Sequence, residues 1–421
     1  MMSHAPVAHR WILVAAIGLA PATVLAQGVP APTGDATPGG EAEGQPATTD
    51  ATVAPPSDAA PTDPPAVVTT PAKPTPDEPR FTFEPFGYLR LQYRAMRNDP
   101  FVEFVGRDDG FELQNAQIGL RGRLAHERAS YVLSIDGAVD ERAQVNVPDG
   151  KLRVGLRDAF ADVRVSGTVA VRAGYFESLV DPDLDDDTQR DFVDRPLVSR
   201  GVRPAQGYQT PGLPPGRSLG AALRLDPGER VDSGVKVGFE LVVQNGADEF
   251  ASDNDNDLPA LSLSAFARMP NRTWLVASGR WNRRTDGELP LQRDEDDFQG
   301  SAGARIAAGP VAFGAGGVVQ RTQFPTTAGP VRNAYGAHAS IVFTVPSSRD
   351  SGMPIGIGYR FGILDPSSLI LTDRVMEHSA GAVVSVPSLR LRVQLQLTLA
   401  MEQGNRDLAN DRAQLCAELS L

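Results

Sequence analysis

Apolar and polar side chains alternate along the chain from residue 81 to the C-terminus. A period of two is typical of β-strands that have one apolar face and one polar face. The alternation is strictest at 388–402, where one face carries Leu389, Leu391, Val393, Leu395, Leu397, Leu399 and Met401. Soluble strands usually have about 5–6 residues, whereas a tilted strand that crosses a bilayer needs about 9–11. The length of this segment therefore favours a membrane-spanning strand.

Sixteen segments carry the alternating pattern. The first places Leu89, Leu91 and Tyr93 on its apolar face. The others are predicted at 115–124, 129–137, 152–165, 168–176, 219–226, 233–244, 258–268, 273–284, 297–307, 310–322, 334–345, 353–363, 374–386, 389–402 and 411–421. An even number of strands would leave both ends of the barrel sequence on the same side of a membrane.

The connections between these segments alternate in length. Short connections are predicted at 166–167, 269–272, 308–309 and 387–388, and long polar ones at 95–110, 138–151, 177–218, 245–257, 285–296 and 323–333. Bacterial outer-membrane barrels have this asymmetry, with short periplasmic turns and longer outer loops. The connection lengths therefore agree with the strand pattern.

A soluble β-sandwich is the alternative fold for so many strands. The polar faces of these segments contain many arginines, and burying them unpaired between two sheets would be costly. The cost disappears if the arginines face water inside a barrel and the leucines face lipid. The sequence therefore predicts an all-β fold, a transmembrane antiparallel up-and-down β-barrel of about sixteen strands spanning 81–421.

The first 80 residues have a different composition. A weakly basic start, an apolar stretch and the small residues before Gln27 predict a secretory signal peptide at 1–26. Residues 27–80 are rich in Pro, Ala and Thr and poor in large apolar side chains, so we expect a disordered linker. Export and a barrel together predict the outer membrane of a Gram-negative-type cell.

The charge of the chain excludes some functions and directs attention to arginine. With 52 acids against 40 bases and a net charge of -12, a nucleic-acid binder is not expected. The single Cys416 excludes an internal disulfide, and only three of the bases are lysines. The guanidinium group is a planar fork suited to bidentate contact with carboxylate or phosphate.

Twelve arginines are the candidate pore-lining and anion-binding residues. Eight belong to the polar faces of predicted strands and four to the long connection 177–218: Arg90, Arg94, Arg121, Arg123, Arg172, Arg360, Arg390 and Arg392, then Arg195, Arg200, Arg203 and Arg217. They could attract anions, or they could form Arg–carboxylate pairs that stiffen the barrel. The connection 177–218 is long enough to fold inward and narrow the pore. Its aspartates lack the glycine and closing glutamate of a helix-flanked calcium loop, so no metal is expected.

Several short motifs resemble the phosphate-selective porin O and P family. They are Phe111-Glu112-Leu113, Ile118-Gly119-Leu120-Arg121-Gly122, Leu156-Arg157-Asp158-Ala159-Phe160-Ala161-Asp162, Val171-Arg172-Ala173-Gly174-Tyr175-Phe176, Asp191-Phe192 with Arg195, and Gly216-Arg217-Ser218-Leu219-Gly220. The resemblance implies a sixteen-stranded, trimeric outer-membrane channel for anions. The family's selective members line the pore with a lysine ladder and an arginine ladder, and this chain has almost no lysine.

The expected function is a passive diffusion channel for small polar solutes with a preference for anions, phosphate among them. The expected partners are outer-membrane lipid, these solutes and two further copies of the chain, and no cofactor is expected. A closed structural or adhesive barrel is the main alternative. An enzyme is not expected, because His126, His338 and His378 lie in no recognisable catalytic motif.

Overall fold

The chain is described from a computed structural model. The structure describes residues 81–107, 109–124, 128–137, 154–184, 190–207, 209–226, 234–246, 254, 257–269, 272–286, 293–324, 330–345, 352–403 and 408–421. The predicted signal peptide and Pro-rich linker lie outside the described residues.

The described residues form sixteen β-strands. They are β1 (Glu84–Met96), β2 (Gly110–Leu124), β3 (Ala129–Asp136), β4 (Gly155–Arg164), β5 (Val169–Phe176), β6 (Ser218–Leu225), β7 (Lys236–Gln244), β8 (Ala260–Arg268), β9 (Trp274–Asp286), β10 (Arg293–Ala308), β11 (Val311–Gln323), β12 (Arg332–Val345), β13 (Ile355–Asp365), β14 (Val375–Val386), β15 (Leu391–Glu402) and β16 (Arg412–Ser420). One short helix, α1 (Leu197–Arg200), lies between β5 and β6.

The strands form one closed antiparallel barrel in which each strand pairs with its neighbours in sequence. β16 returns to β1 and closes the sheet, with Tyr88 opposite Ser420 and Arg94 opposite Gln414. Closure gives every strand two partners, which hydrocarbon requires because lipid cannot hydrogen-bond to peptide groups. The predicted fold class and strand number are confirmed.

The alternation of side chains separates a lipid-facing exterior from a polar interior. On β15, Leu397 is 52% exposed on the outside, whereas its neighbour Gln396 is 0% exposed on the inside. On β1, Leu91 faces out and Arg90 faces in. Because the outward faces of most described strands carry such apolar side chains, the barrel is of the outer-membrane type. No helix among the described residues is long and apolar enough to cross a membrane.

The connections are shorter on the side where β1 begins and β16 ends. On that side, which we take as periplasmic, the connections 125–128, 165–168, 269–273, 309–310 and 387–390 are short, and 226–235 and 346–354 are longer. The opposite, outer side has the connections 97–109, 137–154, 177–217, 245–259, 287–292, 324–331, 366–374 and 403–411. The predicted strand at 389–402 begins later, because Pro387–Leu389 forms a 3-10 turn.

A β-bulge changes the alternation on β2. The register between β1 and β2 shifts between Arg90 and Leu91, and both Gln114 and Asn115 are buried as a result. A bulge re-aims side chains. Here it turns the Gln114 amide toward the barrel interior, where it donates to the Val193 carbonyl at 3.1 Å.

The apolar exterior predicts that a charged substitution on the lipid face lowers the stability of the barrel, and that the loss depends on the depth of the residue in the membrane. Leu397→Arg places a guanidinium in the middle of a strand on the lipid face and should destabilise the barrel by ~2–4 kcal/mol, against ~0–1 kcal/mol near an interface. Leu389→Arg is the matched control, because Leu389 is exposed in the periplasmic 3-10 turn. Urea unfolding from lipid vesicles measures both variants, and equal losses would contradict the assigned lipid face.

Candidate functional site

The described residues of the connection 177–217, here called the inner loop, are 177–184, 190–207 and 209–217, and they lie inside the barrel. The backbone N–H of Val193 donates to Gln396 Oε1 on β15 at 2.8 Å, while its carbonyl accepts from Gln114 on β2. Helix α1 packs against β12 and β13. The inner loop is therefore fixed to the barrel wall from several strands.

The inner loop approaches the wall at positions where the inward-facing residues of the strands are glycines. A Cβ atom at Gly336 would lie 2.7 Å from Val198, and one at Gly358 would lie 3.0 Å from Phe192. Both distances are shorter than ordinary van der Waals contact, so a larger residue at either position would have to displace Val198 or Phe192. Beside these contacts an apolar cluster joins the inner loop to β13 and β14, and it consists of Leu197, Val202, Leu364 and Val375 with the partly buried Leu213.

A buried charge network anchors the tip of the inner loop. Asp194 accepts from Arg412 at 3.0 Å and from Gln414 at 2.9 Å. Glu377 pairs with Arg412 at 3.0 Å and with Arg200 of the inner loop at 2.5 Å. Burial opposes ionisation of Asp194, but Arg412 and Arg200 outweigh it, so the pKa of Asp194 lies well below its usual range. Its carboxylate therefore stays charged and holds the anchor at neutral pH.

The other predicted arginines of the inner loop also meet carboxylates. Arg195 lies 2.6 Å from Asp181 and 3.4 Å from Asp183, within the same loop. Arg203 reaches across to Glu112 on β2 at 3.0 Å. Arg217 contacts Asp158 on β4 and Glu177, each at 3.1 Å. The pairs of Arg203 and Arg217 tie the inner loop to β2 and β4, while the Arg195 pairs hold the loop together.

Four predicted arginines on the strands also have carboxylate partners inside the barrel. Arg94 lies 2.7 Å from Glu112. The remaining pairs are Arg90 with Glu418, Arg392 with Glu418 at 3.7 Å, and Arg172 with Asp162 at 2.8 Å. Much of the positive charge in the middle of the lumen is thus neutralised locally.

Three further predicted residues lie in other surroundings. Arg360 donates to the backbone carbonyl of Asp194 at 2.8 Å and helps to hold the inner loop. Arg121 pairs with Glu84 at 2.5 Å at the periplasmic end, where both side chains are exposed. Arg123 is exposed at the same end of β2.

The position of Arg390 differs from the one that the sequence predicts. It was expected on the polar face of a strand, but it follows the 3-10 turn in a left-handed conformation, with φ of 50°. Arg272, in the β8–β9 turn, has φ of 62°, and these are the two non-glycine residues with positive φ among the described residues. The left-handed region costs an L-residue roughly 1–2 kcal/mol. Such strain often accompanies a functional position.

Both strained arginines line one cavity at the periplasmic mouth. The cavity, here called the inner-mouth cavity, has a volume of about 740 Å3 and also contains Arg305, Arg392 and Asp191. Asp191 lies 3.5 Å from Arg305. Burial raises the pKa of Asp191, and Arg392 opposes that rise. Four arginines and one aspartate therefore line this space, and one of the four, Arg392, also lies 3.7 Å from Glu418.

The sequence did not predict Arg272 as a lining residue, because a residue in a turn has no place in the alternation of inward and outward side chains. It also missed the pairing of Glu377, although the alternation of the predicted strand 374–386 could have placed that side chain inside. Among the described residues, no group of three or more His, Cys, Asp or Glu side chains could hold a metal ion.

The stretch 216–220 has Gly-x-Ser-x-Gly spacing, which the sequence reasoning overlooked. A nucleophile elbow places its serine in a sharp turn between a strand and a helix. Here Ser218 instead begins β6, which pairs antiparallel with β5, and its hydroxyl donates to the Asn245 carbonyl at 2.9 Å. The spacing therefore does not form an elbow in this fold.

Known structures share this architecture. The trimer form of OmpT, an outer membrane protein of Vibrio cholerae, is 9% identical with a TM-score of 0.54, covering 81% of this chain and 99% of that one. The outer membrane channel DcaP of Acinetobacter baumannii is 10% identical with a TM-score of 0.53, covering 81% and 97%. Pseudomonas putida OprB is 11% identical with a TM-score of 0.52, covering 81% and 94%.

At such low identity these likenesses establish the fold. No protein-family model matches the chain, and no curated protein matches it. The resemblance to the phosphate-selective porins therefore stays a prediction, while the outer-membrane barrel architecture is shared with proteins of three bacteria.

Proposed function

We propose that this protein is a passive diffusion channel for small polar solutes with a preference for anions. A sixteen-stranded barrel leaves room for an aqueous channel. Its inward faces are polar, and the inner loop narrows the space that they enclose. The inner-mouth cavity is the observation that carries the anion preference.

The preference follows from the distribution of charge along the lumen. Most of the predicted arginines in the middle of the barrel are paired with carboxylates, so these contribute little net potential. In the inner-mouth cavity, Arg272 and Arg390 have no carboxylate partner among the described residues. A cleft that has one sign of charge and walls of low dielectric constant concentrates ions of the opposite sign. Anions should therefore be enriched at the periplasmic mouth.

Phosphate is the anion to which the motif resemblance points, and a guanidinium fork can bind it through two hydrogen bonds. The proposal includes a homotrimer in outer-membrane lipid, supported by the likeness to the trimer form of a Vibrio cholerae outer membrane protein. It includes neither a cofactor nor catalytic turnover. Native mass spectrometry in detergent tests the trimer separately from conduction.

Bilayer recordings in a salt gradient test the anion preference. The wild-type reversal potential should favour chloride over potassium. In Arg272→Gln/Arg390→Gln this bias should fall, because a unit charge at about 10 Å in water contributes roughly 0.4 kcal/mol, a factor of about two per charge. Recordings with phosphate and a sugar would then rank the solutes.

Arg164→Gln is the matched control for this pair. Arg164 is exposed at the periplasmic end of β4, in a separate small cavity that also contains Asp162 and Asp226. Removing its charge should change the reversal potential much less. A cation-biased wild type would refute the selectivity, and an absence of conductance would favour a closed structural barrel.

Deleting 183–215 tests whether the inner loop narrows the channel. Conductance should rise roughly two-fold or more, since a sixteen-stranded barrel without an obstruction encloses a wide lumen. Arg412 and Glu377 remain paired with each other after the deletion. Asp194→Asn keeps the loop length but weakens its anchor, and should give a noisier current with a smaller change in mean conductance. Unchanged conductance after the deletion would refute the constriction.

A further inference from the structure

Arg280 lies on β9, within the predicted strand 273–284, and is not one of the twelve candidate arginines. Val276 and Asn282, on the same face of the strand, are buried, whereas Ala277 and Gly279 between them are exposed on the outside. Arg280 therefore points into the lumen, where it is partly exposed. It is the seventh of the 13 residues of β9, so it lies near half the height of the barrel.

Among the residues that the structure describes, Arg280 has no hydrogen-bond or ion-pair partner. Two charged groups act on it from nearby, the Asp297 carboxylate and the Arg284 guanidinium. Asp297 is already engaged, because it accepts from Thr322 at 2.5 Å and pairs with Arg284 at 3.1 Å. The charge of Arg280 is therefore not neutralised by direct contact, in contrast to the paired arginines of the lumen.

The side chains next to Arg280 on the inner wall are polar but neutral. They flank it along its own strand and across the sheet, and they are Ser278 and Asn282 on β9, Ser262 on β8 and Gln299 on β10. Hydroxyl and amide groups can hydrogen-bond to a solute without adding charge. In this set of neighbouring side chains the charge is that of Arg280 alone.

The inner loop is fixed beside Arg280 through its first and last parts. The Ser278 hydroxyl donates to the Leu179 carbonyl at 2.5 Å, and the Gln299 amide donates to the Leu213 carbonyl at 2.5 Å. These carbonyls accept from the neighbours of Arg280 and not from Arg280 itself. Arg280 thus lies beside the inner loop, at the level where that loop narrows the proposed channel.

A partly buried cation without a partner favours an anion beside it. Removing a charge from water is costly unless an opposite charge and hydrogen bonds replace the water. A guanidinium group presents two parallel N–H donors, which match the two oxygens of a carboxylate. One carboxylate also balances one guanidinium in charge, whereas a doubly charged phosphate would need a second free cation, and Arg284 is already paired with Glu295 and Asp297. The surroundings of Arg280 therefore fit a monocarboxylate better than phosphate.

We propose that Arg280 is a mid-lumen binding site for small monocarboxylates, which its guanidinium group holds through two hydrogen bonds. The site rests on the proposed function, because it names a class of solute for the same channel. It lies between the outer opening and the inner-mouth cavity, so a solute that enters from outside meets Arg280 first and the arginines of that cavity next. Conduction requires several weak sites in series, so that a bound ion can leave one site for another.

Fluorine NMR of trifluoroacetate measures binding without conduction. The full-length protein in detergent micelles carries Arg272→Gln/Arg390→Gln, so that the inner-mouth cavity contributes less to the signal, and the broadening of the trifluoroacetate resonance gives the affinity. Adding Arg280→Gln should weaken binding roughly ten-fold or more, because hydrogen bonds to a charged group are lost. Adding Arg321→Gln instead is the matched control and should leave the affinity unchanged, since Arg321 is exposed on the outward face of β11.

Three further results decide the chemistry of the site. Adding Arg280→Lys keeps the charge but not the two parallel donors, and should weaken binding several-fold. Acetate should compete with trifluoroacetate, and phosphate only at a much higher concentration. Equal affinity with and without Arg280→Gln would overturn the proposal, and equal competition by phosphate would overturn the solute class.

The site and the proposed function can fail separately. A protein that binds trifluoroacetate at Arg280 but passes no anions in bilayers would refute the proposed function and support the site. Anion conduction with no loss of trifluoroacetate binding in Arg280→Gln would refute the site and leave the proposed function standing. Unchanged β-sheet circular dichroism verifies that each variant is folded.

Discussion

An unpaired peptide group in hydrocarbon costs on the order of several kcal/mol, because lipid offers neither donor nor acceptor. In this chain the pairing of β1 with β16 removes the last two sheet edges and so satisfies that requirement. Closure has a consequence for the side chains. Once one face of every strand must be apolar, the polar residues of the strands converge on the enclosed lumen. The same constraint thus accounts for the leucine exterior and the concentration of charge inside.

Concentrated charge in a narrow space must be balanced locally, and most of it is. Arg412 lies between Asp194 and Glu377, and Arg90 pairs with Glu418. Removing one member of such a buried pair would leave an uncompensated charge, a loss of ~3–5 kcal/mol in typical cases. The pairs therefore make the barrel more rigid. In the proposed channel, selectivity depends on the places where the charges are not balanced, and the inner-mouth cavity is such a place.

The alternation of side chains made much of the fold predictable. A shift of one residue would turn every lipid-facing side chain of a strand toward water, so the apolar pattern fixes which residues face outward. The alternation predicted sixteen strands and the outward face of residues such as Leu397. It could not identify the partners of the inward charges. Arg203 meets Glu112 only because the inner loop crosses the lumen, and Arg390 left its expected strand because the chain turns at 387–389. Contacts between distant segments depend on register, bulges and loop path, none of which has a local pattern.

The inner loop is attached unequally to the two sides of the lumen, and this has a consequence for the proposed passage. Toward β12–β14 its contacts are buried: Val198 packs on Gly336, Phe192 packs on Gly358, and the ion pair of Arg200 with Glu377 is shielded from water. Toward β2–β4 its contacts are ion pairs that include partly exposed groups, such as Arg203 with Glu112. Water and small ions can reach charged groups that are partly exposed. They cannot enter an interface in which side chains pack directly against glycine. In the proposed channel the solute path therefore runs along the charged side of the inner loop and reaches the inner-mouth cavity beyond it.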